Sequence, residues 1–212
     1  MPKNNSKNYK SFTGLTGFYY MIHGENEVNG GTEAERIKYL QEISVSNETS
    51  LESAYGDNEV AEVAQASSPV EVEASFHKLP LEDRIKLFGL EESEDGLVGV
   101  GQANAPYVSI LFAKTTEQGG VEYVALPKGI LSMGDTEGQT KEDGVEFSQD
   151  SVTGTFMPEE VEGFEEKKSF FLGADEDGKT DKRDTIWNKL FGQSHPDSDG
   201  SNGNDDSETE TP

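Results

Sequence analysis

Val70-Glu71-Val72-Glu73-Ala74-Ser75-Phe76 alternates apolar and polar side chains without a break. Successive side chains of a strand point to opposite faces, so Val70, Val72, Ala74 and Phe76 share one face and Glu71, Glu73 and Ser75 the other. Such a strand has a buried face and a wet, acidic face, as in an antiparallel sheet with one side on the core. The period then changes. In Leu79-Pro80-Leu81-Glu82-Asp83-Arg84-Ile85-Lys86-Leu87-Phe88-Gly89, proline stands near the first helical position, acids fill the first turn, and Gly89 follows the last apolar residue as a C-cap. Leu81, Ile85 and Phe88 share one helical face. A helix this short needs a sheet to bury that face.

Outward from this pair the pattern is mostly β. Phe18–Ile22 reads as a short aromatic strand, followed by a polar, Gly-rich loop from His23 to about Glu35. Ile37–Ser46 begins irregularly and ends in alternation, with Ile43 and Val45 against Glu42 and Ser44. Asn47 to Asn58 reads as a second polar loop, and Val60–Ala64 as a strand, with a helical turn as the alternative. Downstream, Tyr107–Ala113 is nearly all apolar and is expected to be central; the turn Glu117–Gly120 joins it to Val121–Leu126 as a hairpin, which Lys128–Met133 continues. Val145–Phe156 is a strand whose phase shifts near Gln149 or Asp150, the mark of a bulge. Lys168–Gly173 is a last short strand, and Thr185–Phe191 one or two helical turns docked by Ile186, Trp187, Leu190 and Phe191.

Composition sets limits on function. Seventeen Lys and Arg stand against 42 Asp and Glu in 212 residues, a net charge of −25. Leu, Ile, Val and Phe number 45 of 212, just above the roughly 20% below which a charged chain does not fold. No stretch approaches the ~18 apolar residues of a membrane span. The polar N-terminus lacks the apolar run of a secretory signal. With no cysteine, disulfides, thiolate catalysis and thiolate metal centres are excluded. So acidic a chain is not built to grip nucleic acid, which needs clustered Lys and Arg. The last twenty residues, Gln193 to Pro212, hold six acids and no Lys, Arg, Leu, Ile, Val or Phe. The expected organisation is a flexible arm over 1–11, one β-sandwich domain over 12–192, and a disordered acidic tail over 193–212.

Reactive constellations are scarce. His23, His77 and His195 form no pair with metal-ligand spacing, and no serine sits in a G-x-S-x-G elbow. Gly99-Val100-Gly101 lacks the third glycine and the helix of a dinucleotide site and reads as a loop. Asp175-Glu176-Asp177-Gly178-Lys179 has the look of a calcium loop, but an EF-hand would need an acid at position 173, which is glycine; a solvated acidic turn is the better reading. No catalytic residue, metal or cofactor is expected. Acids on alternating strand positions are more informative taken together, because they coat a whole sheet face with negative charge.

The order of elements carries a resemblance. An aromatic strand and a long polar loop lead to Phe76-His77-Lys78-Leu79-Pro80-Leu81-Glu82-Asp83-Arg84-Ile85-Lys86-Leu87-Phe88-Gly89-Leu90; the Gly-rich loop Asp95–Val100 follows, then Pro106–Phe112 and a hairpin into Val121–Val124. From about Phe12 to Phe191 this layout resembles the major tail protein, the tail tube subunit, of long non-contractile-tailed bacteriophages of Gram-positive bacteria. The resemblance implies a mainly β fold, a β-sandwich with one short flanking α-helix and flexible polar termini, with no enzymatic activity. It implies hexameric rings whose inner sheets join around a channel and stack into the conduit for genome ejection. The implied partners are other copies of the chain, the tape measure protein in the lumen, tail terminator and distal tail proteins at the tube ends, and viral DNA in transit, with no membrane. The implied location is the virion tail, assembled in the host cytoplasm.

Under that resemblance Glu71, Glu73 and Glu146 are candidates for a lumen-facing surface that phosphate does not stick to. The loops bounded by His23 and Glu35, and by Asn47 and Asn58, are candidates for contacts between subunits. The acidic stretch from Gln193 lies outside the resemblance. A different class of function, a monomeric β-sandwich that binds a ligand such as a carbohydrate, would need an exposed strip built from Tyr19, Tyr20, Tyr39, Tyr55, Tyr107 or Trp187.

Overall fold

Alternation becomes architecture when the strands pair. A computed structural model describes residues 11–24, 33–47, 49–56, 59–67, 69–101, 104–134 and 149–198. In chain order the elements are β1 (Phe12–Ile22), β2 (Glu35–Ile37), β3 (Leu40–Ser46), β4 (Thr49–Gly56), β5 (Glu59–Ser67), β6 (Val70–Phe76), α1 (Leu81–Phe88), β7 (Glu91–Glu92), β8 (Val98–Gly99), β9 (Tyr107–Thr116), β10 (Val121–Met133), β11 (Asp150–Phe156), β12 (Phe171–Asp175) and α2 (Asp181–Phe191). Eight strands form one antiparallel sheet in the order β2-β1-β9-β10-β11-β6-β3, with β12 pairing the first half of β10. Small hairpins β4-β5 and β7-β8 stand apart from it.

The sheet folds over into a sandwich. β2 and β3 lie at opposite ends of the strand order, yet only Lys38 and Tyr39 separate them. Three Cα steps reach about 11 Å at most, so the two ends of the sheet meet. The Phe18 ring of β1 also packs edge-on against Phe76 of β6 at 5.0 Å. Four strand spacings separate these two strands along the sheet, about 19 Å if it were flat. Between the layers lies the main core, with Phe18 and Tyr20 from β1, Val70, Val72, Ala74 and Phe76 from β6, and Val108, Ile110 and Phe112 from β9. The alternation of β6 is observed as read: its four apolar positions are buried, and Glu71 and Glu73 are exposed.

β9 is buried on both faces. Leu111 and Ala113 turn away from the main core into a second cluster roofed by Ile186, Trp187, Leu190 and Phe191 of α2. The fold thus has two helices. α2 begins four residues earlier than the apolar pattern suggests, because its cap is not local: the Asp175 carboxylate accepts hydrogen bonds from the backbone N–H groups of Lys182 and Arg183, at 3.0 and 2.9 Å. The acidic turn after Asp175 therefore leads into a capped helix. At the other helix Gly89 adopts φ 59° and closes α1 as a left-handed C-cap; a Cβ there would lie 2.2 Å from the Asn104 carbonyl oxygen.

Several expectations are corrected. Leu81 is 53% exposed, and the buried residues of α1 are Leu87 and Phe88. Leu79, just before the helix, takes the anchoring place. β1 begins at Phe12 rather than Phe18: Gly17, at φ 62°, absorbs a bulge within the strand. Glu35 lies in an edge strand rather than a loop. Most of the Asn47–Asn58 stretch is strand β4, paired with β5 from Thr49↔Ser67 to Gly56↔Glu59. The ordered chain also runs past Phe191. His195 is 7% exposed, with its ring 4.5 Å from that of Trp187. The expected arm over 1–10, the strand residues 145–148 and the tail from 199 lie outside the described residues.

Candidate functional site

One side of the sandwich has no helix over it among the described residues. The second half of β10, with β11, β6 and β3, forms a four-stranded layer whose inner face meets the core. Its outer side chains fall in rows set by the register. Glu42 lies beside Ser75 and Ser151; Ser44 beside Glu73, Thr153 and Ser132; Ser46 beside Glu71, Thr155 and Ile130. Each row holds one carboxylate among short hydroxyl side chains, with Ile130 the one apolar member. No Lys or Arg stands in these rows, and none of the three glutamates has an ion pair among the described residues.

The cations are held elsewhere. Arg84 pairs with Asp150 at 2.6 Å, Lys86 with Glu35 at 2.7 Å, Lys114 with Glu122 at 2.5 Å and Lys128 with Glu159 at 3.0 Å. Burial raises the Glu159 carboxyl most, but the Lys128 hydrogen bond and charge, the Glu160 backbone N–H and the charge of Lys167 together hold it below the usual range. Tyr20 donates to Asp83 at 2.6 Å between β1 and α1; burial first, then that carboxylate, pushes its phenol well above the usual range. The contacts of Arg84, Lys86 and Asp83 tie α1 to the sheet. They leave the unroofed face with negative charge alone.

The sequence-predicted residues divide accordingly. Glu71 and Glu73 share the unroofed face, while Glu146 lies outside the described residues. Glu42 joins them; the alternation of Glu42 and Ser44 with Ile43 and Val45 is the signal that finds it. His23 is buried at the end of β1, Glu35 holds Lys86 on β2, Asn47 is exposed just after β3, and Asn58 lies outside the described residues.

The one close histidine–serine pair runs against nucleophilic chemistry. Ser109 donates its hydroxyl hydrogen to the Pro127 carbonyl at 2.6 Å, so the 2.6 Å contact with His23 Nε2 has the imidazole as donor. The imidazole therefore takes no proton from the serine, and the chain satisfies a buried carbonyl where β10 breaks step with β9. Burial first, then Lys128, lowers the His23 pKa, and burial, then Arg183, that of His195. Of the aromatic candidates, Tyr20 and Trp187 are buried and Tyr19 packs on Trp187 at 4.9 Å, while Tyr39 and Tyr107 are exposed and the side chain of Tyr55 lies outside the described residues. Among the described residues no group of three His, Asp or Glu could hold a metal ion, and no helix is long and apolar enough to cross a membrane.

Comparison with known proteins gives a family. The model of the phage tail tube protein family matches residues 40–197, from the start of β3 to just past His195. No curated protein matches the chain.

Proposed function

The chain belongs to the phage tail tube protein family, and on that premise we propose that its copies close into hexameric rings and stack into a tail tube, with the unroofed face of β10, β11, β6 and β3 turned to the channel. One observation carries the reading: the outer face of the main sandwich that no described helix covers is a field of Ser, Thr and Glu whose rows hold no cation. A channel for DNA must not hold phosphate. Lys or Arg in the wall would grip it at each step, because phosphate contacts supply most non-specific affinity. Carboxylates repel it within about 8 Å, the Debye length at physiological salt. Short hydroxyls keep the wall hydrated and offer no aromatic plane on which bases could stack.

The rest of the molecule agrees with a structural part in a virion. The His23–Ser109 geometry carries no reaction, and other copies, a tape measure protein and DNA in transit are the partners. The tube's ends would be held by terminator and distal tail proteins. The test replaces Glu42, Glu71 and Glu73 with Lys in assembled phage. Tubes are expected to form, and DNA ejection to slow as salt is lowered. Ejection at the unaltered rate at low salt would contradict the assignment of this face.

A further inference from the structure

Past α2 the chain turns back on the helix it has just left. Gly192, at φ 66°, caps α2, and its N–H bonds the Asn188 carbonyl at 2.8 Å. His195-Pro196-Asp197-Ser198 then closes a tight turn, with proline at the second position, where its fixed φ suits the turn. The N–H and the hydroxyl of Ser198 both donate to the His195 carbonyl, at 2.9 and 2.6 Å. From Gly192 to Ser198 one residue is buried, His195, with Gln193 partly so. The His195 ring meets Trp187 at 4.5 Å, and Trp187 meets Phe191, one helical turn later, at 4.8 Å. The main anchor of this segment on α2 is therefore a single imidazole.

That anchor holds in one protonation state. The Asp197 N–H donates to His195 Nδ1 at 3.0 Å. A ring nitrogen that accepts carries no proton, and an imidazolium has no acceptor left. A proton on Nδ1 breaks this bond and sets two donors against each other. The charged groups facing the ring are Arg183 and Asp184 from α2 and Asp197 from its own turn. Tyr19 of β1 also packs on Trp187, with Arg36 over its ring. Burial first, then Arg183, opposes a positive charge on His195, against Asp197 and Asp184. Asp197 is 3.8 Å from Nδ1, but its side chain is 78% exposed, so water and salt weaken its pull. The docked state carries a cost of its own. The Trp187 indole N–H is buried with no hydrogen-bond partner among the described residues, and a buried donor left unpaired forgoes the bond that water would give it.

We infer that the His195–Ser198 turn is an acid-released latch on α2, docked while the imidazole is neutral and undocked once it is protonated, with Trp187 uncovered and the rest of the fold in place. An undocked histidine takes up its proton near pH 6.5, at about the ordinary value, and the docked one at lower pH. Between the two values each unit of acid shifts the balance toward release by up to about tenfold. The latch belongs to the single chain and works whether or not copies form tubes.

Trp187 is the one tryptophan of the sequence, so its fluorescence reports the latch directly. The full-length chain is titrated from about pH 8 to about pH 5, across the range in which histidine changes charge. The expected result is a reversible one-proton transition with its midpoint below about pH 6.5. Through it acrylamide quenching of Trp187 rises and its emission moves to the red, while the far-ultraviolet circular dichroism stays constant. His23→Gln, which removes the other buried histidine, is expected to keep the transition, and His195→Gln to lose it. No transition in the original chain overturns the inference. So does a transition that persists in His195→Gln, or quenching that rises only together with loss of circular dichroism. Should His195→Gln be undocked at every pH, the proton resonance of the His195 ring in the original chain decides. Titration at the fluorescence midpoint supports the latch, and titration at a different pH overturns it.

Discussion

The two outer sides of the sandwich are built from the same kind of strand and have opposite fates. On the β9 side the outward positions are Leu111, Ala113, Tyr123 and Ala125, and α2 covers them with Trp187 at the centre. On the β6 side the outward positions are Glu71, Glu73, Thr153 and Thr155, which are exposed, with no helix over them among the described residues. The difference teaches where stability and function reside. The covered side adds apolar burial to a chain with little apolar material to spare. The uncovered side contributes almost nothing to folding, so its composition is free to answer to something else. Under the proposed tube, three rows with one carboxylate each and no cation answer to the channel.

Substitutions break this comparison in order of size. Trp187 is 2% exposed and touches Tyr19, Phe191 and His195. Trp187→Ala is expected to cost about 3–5 kcal/mol in urea unfolding, whereas Thr153→Ala on the other side should stay within about 0.5 kcal/mol. Equal costs would erase the distinction between the sides. Next, Asp175→Ala removes the cap of α2 and should cost about 1–2 kcal/mol, while Asp175→Asn keeps most of it. An alanine variant as stable as the original would mean that α2 does not depend on that carboxylate.

Acid sharpens the comparison. His23 and His195 are buried in the folded state with pKa values below the ordinary 6.5. The unfolded chain therefore binds more protons once the pH drops below about 6.5, and stability falls as the pH falls through that window toward the folded pKa values. The melting temperature should be lower at pH 5 than at pH 7, and His195→Gln should remove part of the drop. Identical pH slopes for the two proteins would contradict the burial of a neutral His195. The smallest effect belongs to the open face. Glu71→Gln together with Glu73→Gln should change stability by less than about 0.5 kcal/mol. A large loss would show that these carboxylates hold the fold.

What was legible in the sequence follows the same division. β6 was plain because its alternation is set by one buried face and one wet face, and α1 because proline, acids and Gly89 mark its ends locally. β4 reads as loop in the sequence because Ser, Glu and Asn give no apolar period, whereas its partner β5 shows itself through Val60 and Val63. The start of α2 was hidden because its cap comes from Asp175, six residues before the first helical residue. His195 looked like part of an acidic tail, since its burial depends on Trp187, eight residues away on the helix. For the candidate site, Glu71 and Glu73 were legible from one strand. The rows that join them to Glu42, Thr153 and Thr155 needed the pairing of β3, β6 and β11, which no single strand contains.

The most direct test of the central claim is a helical reconstruction, by electron cryomicroscopy, of tubes assembled from the full chain. The expected channel wall is formed by β10, β11, β6 and β3, with Glu42, Glu71 and Glu73 facing inward and α2 on the outside. A wall formed by α2, or by any surface that leaves those three glutamates facing outward, would contradict it.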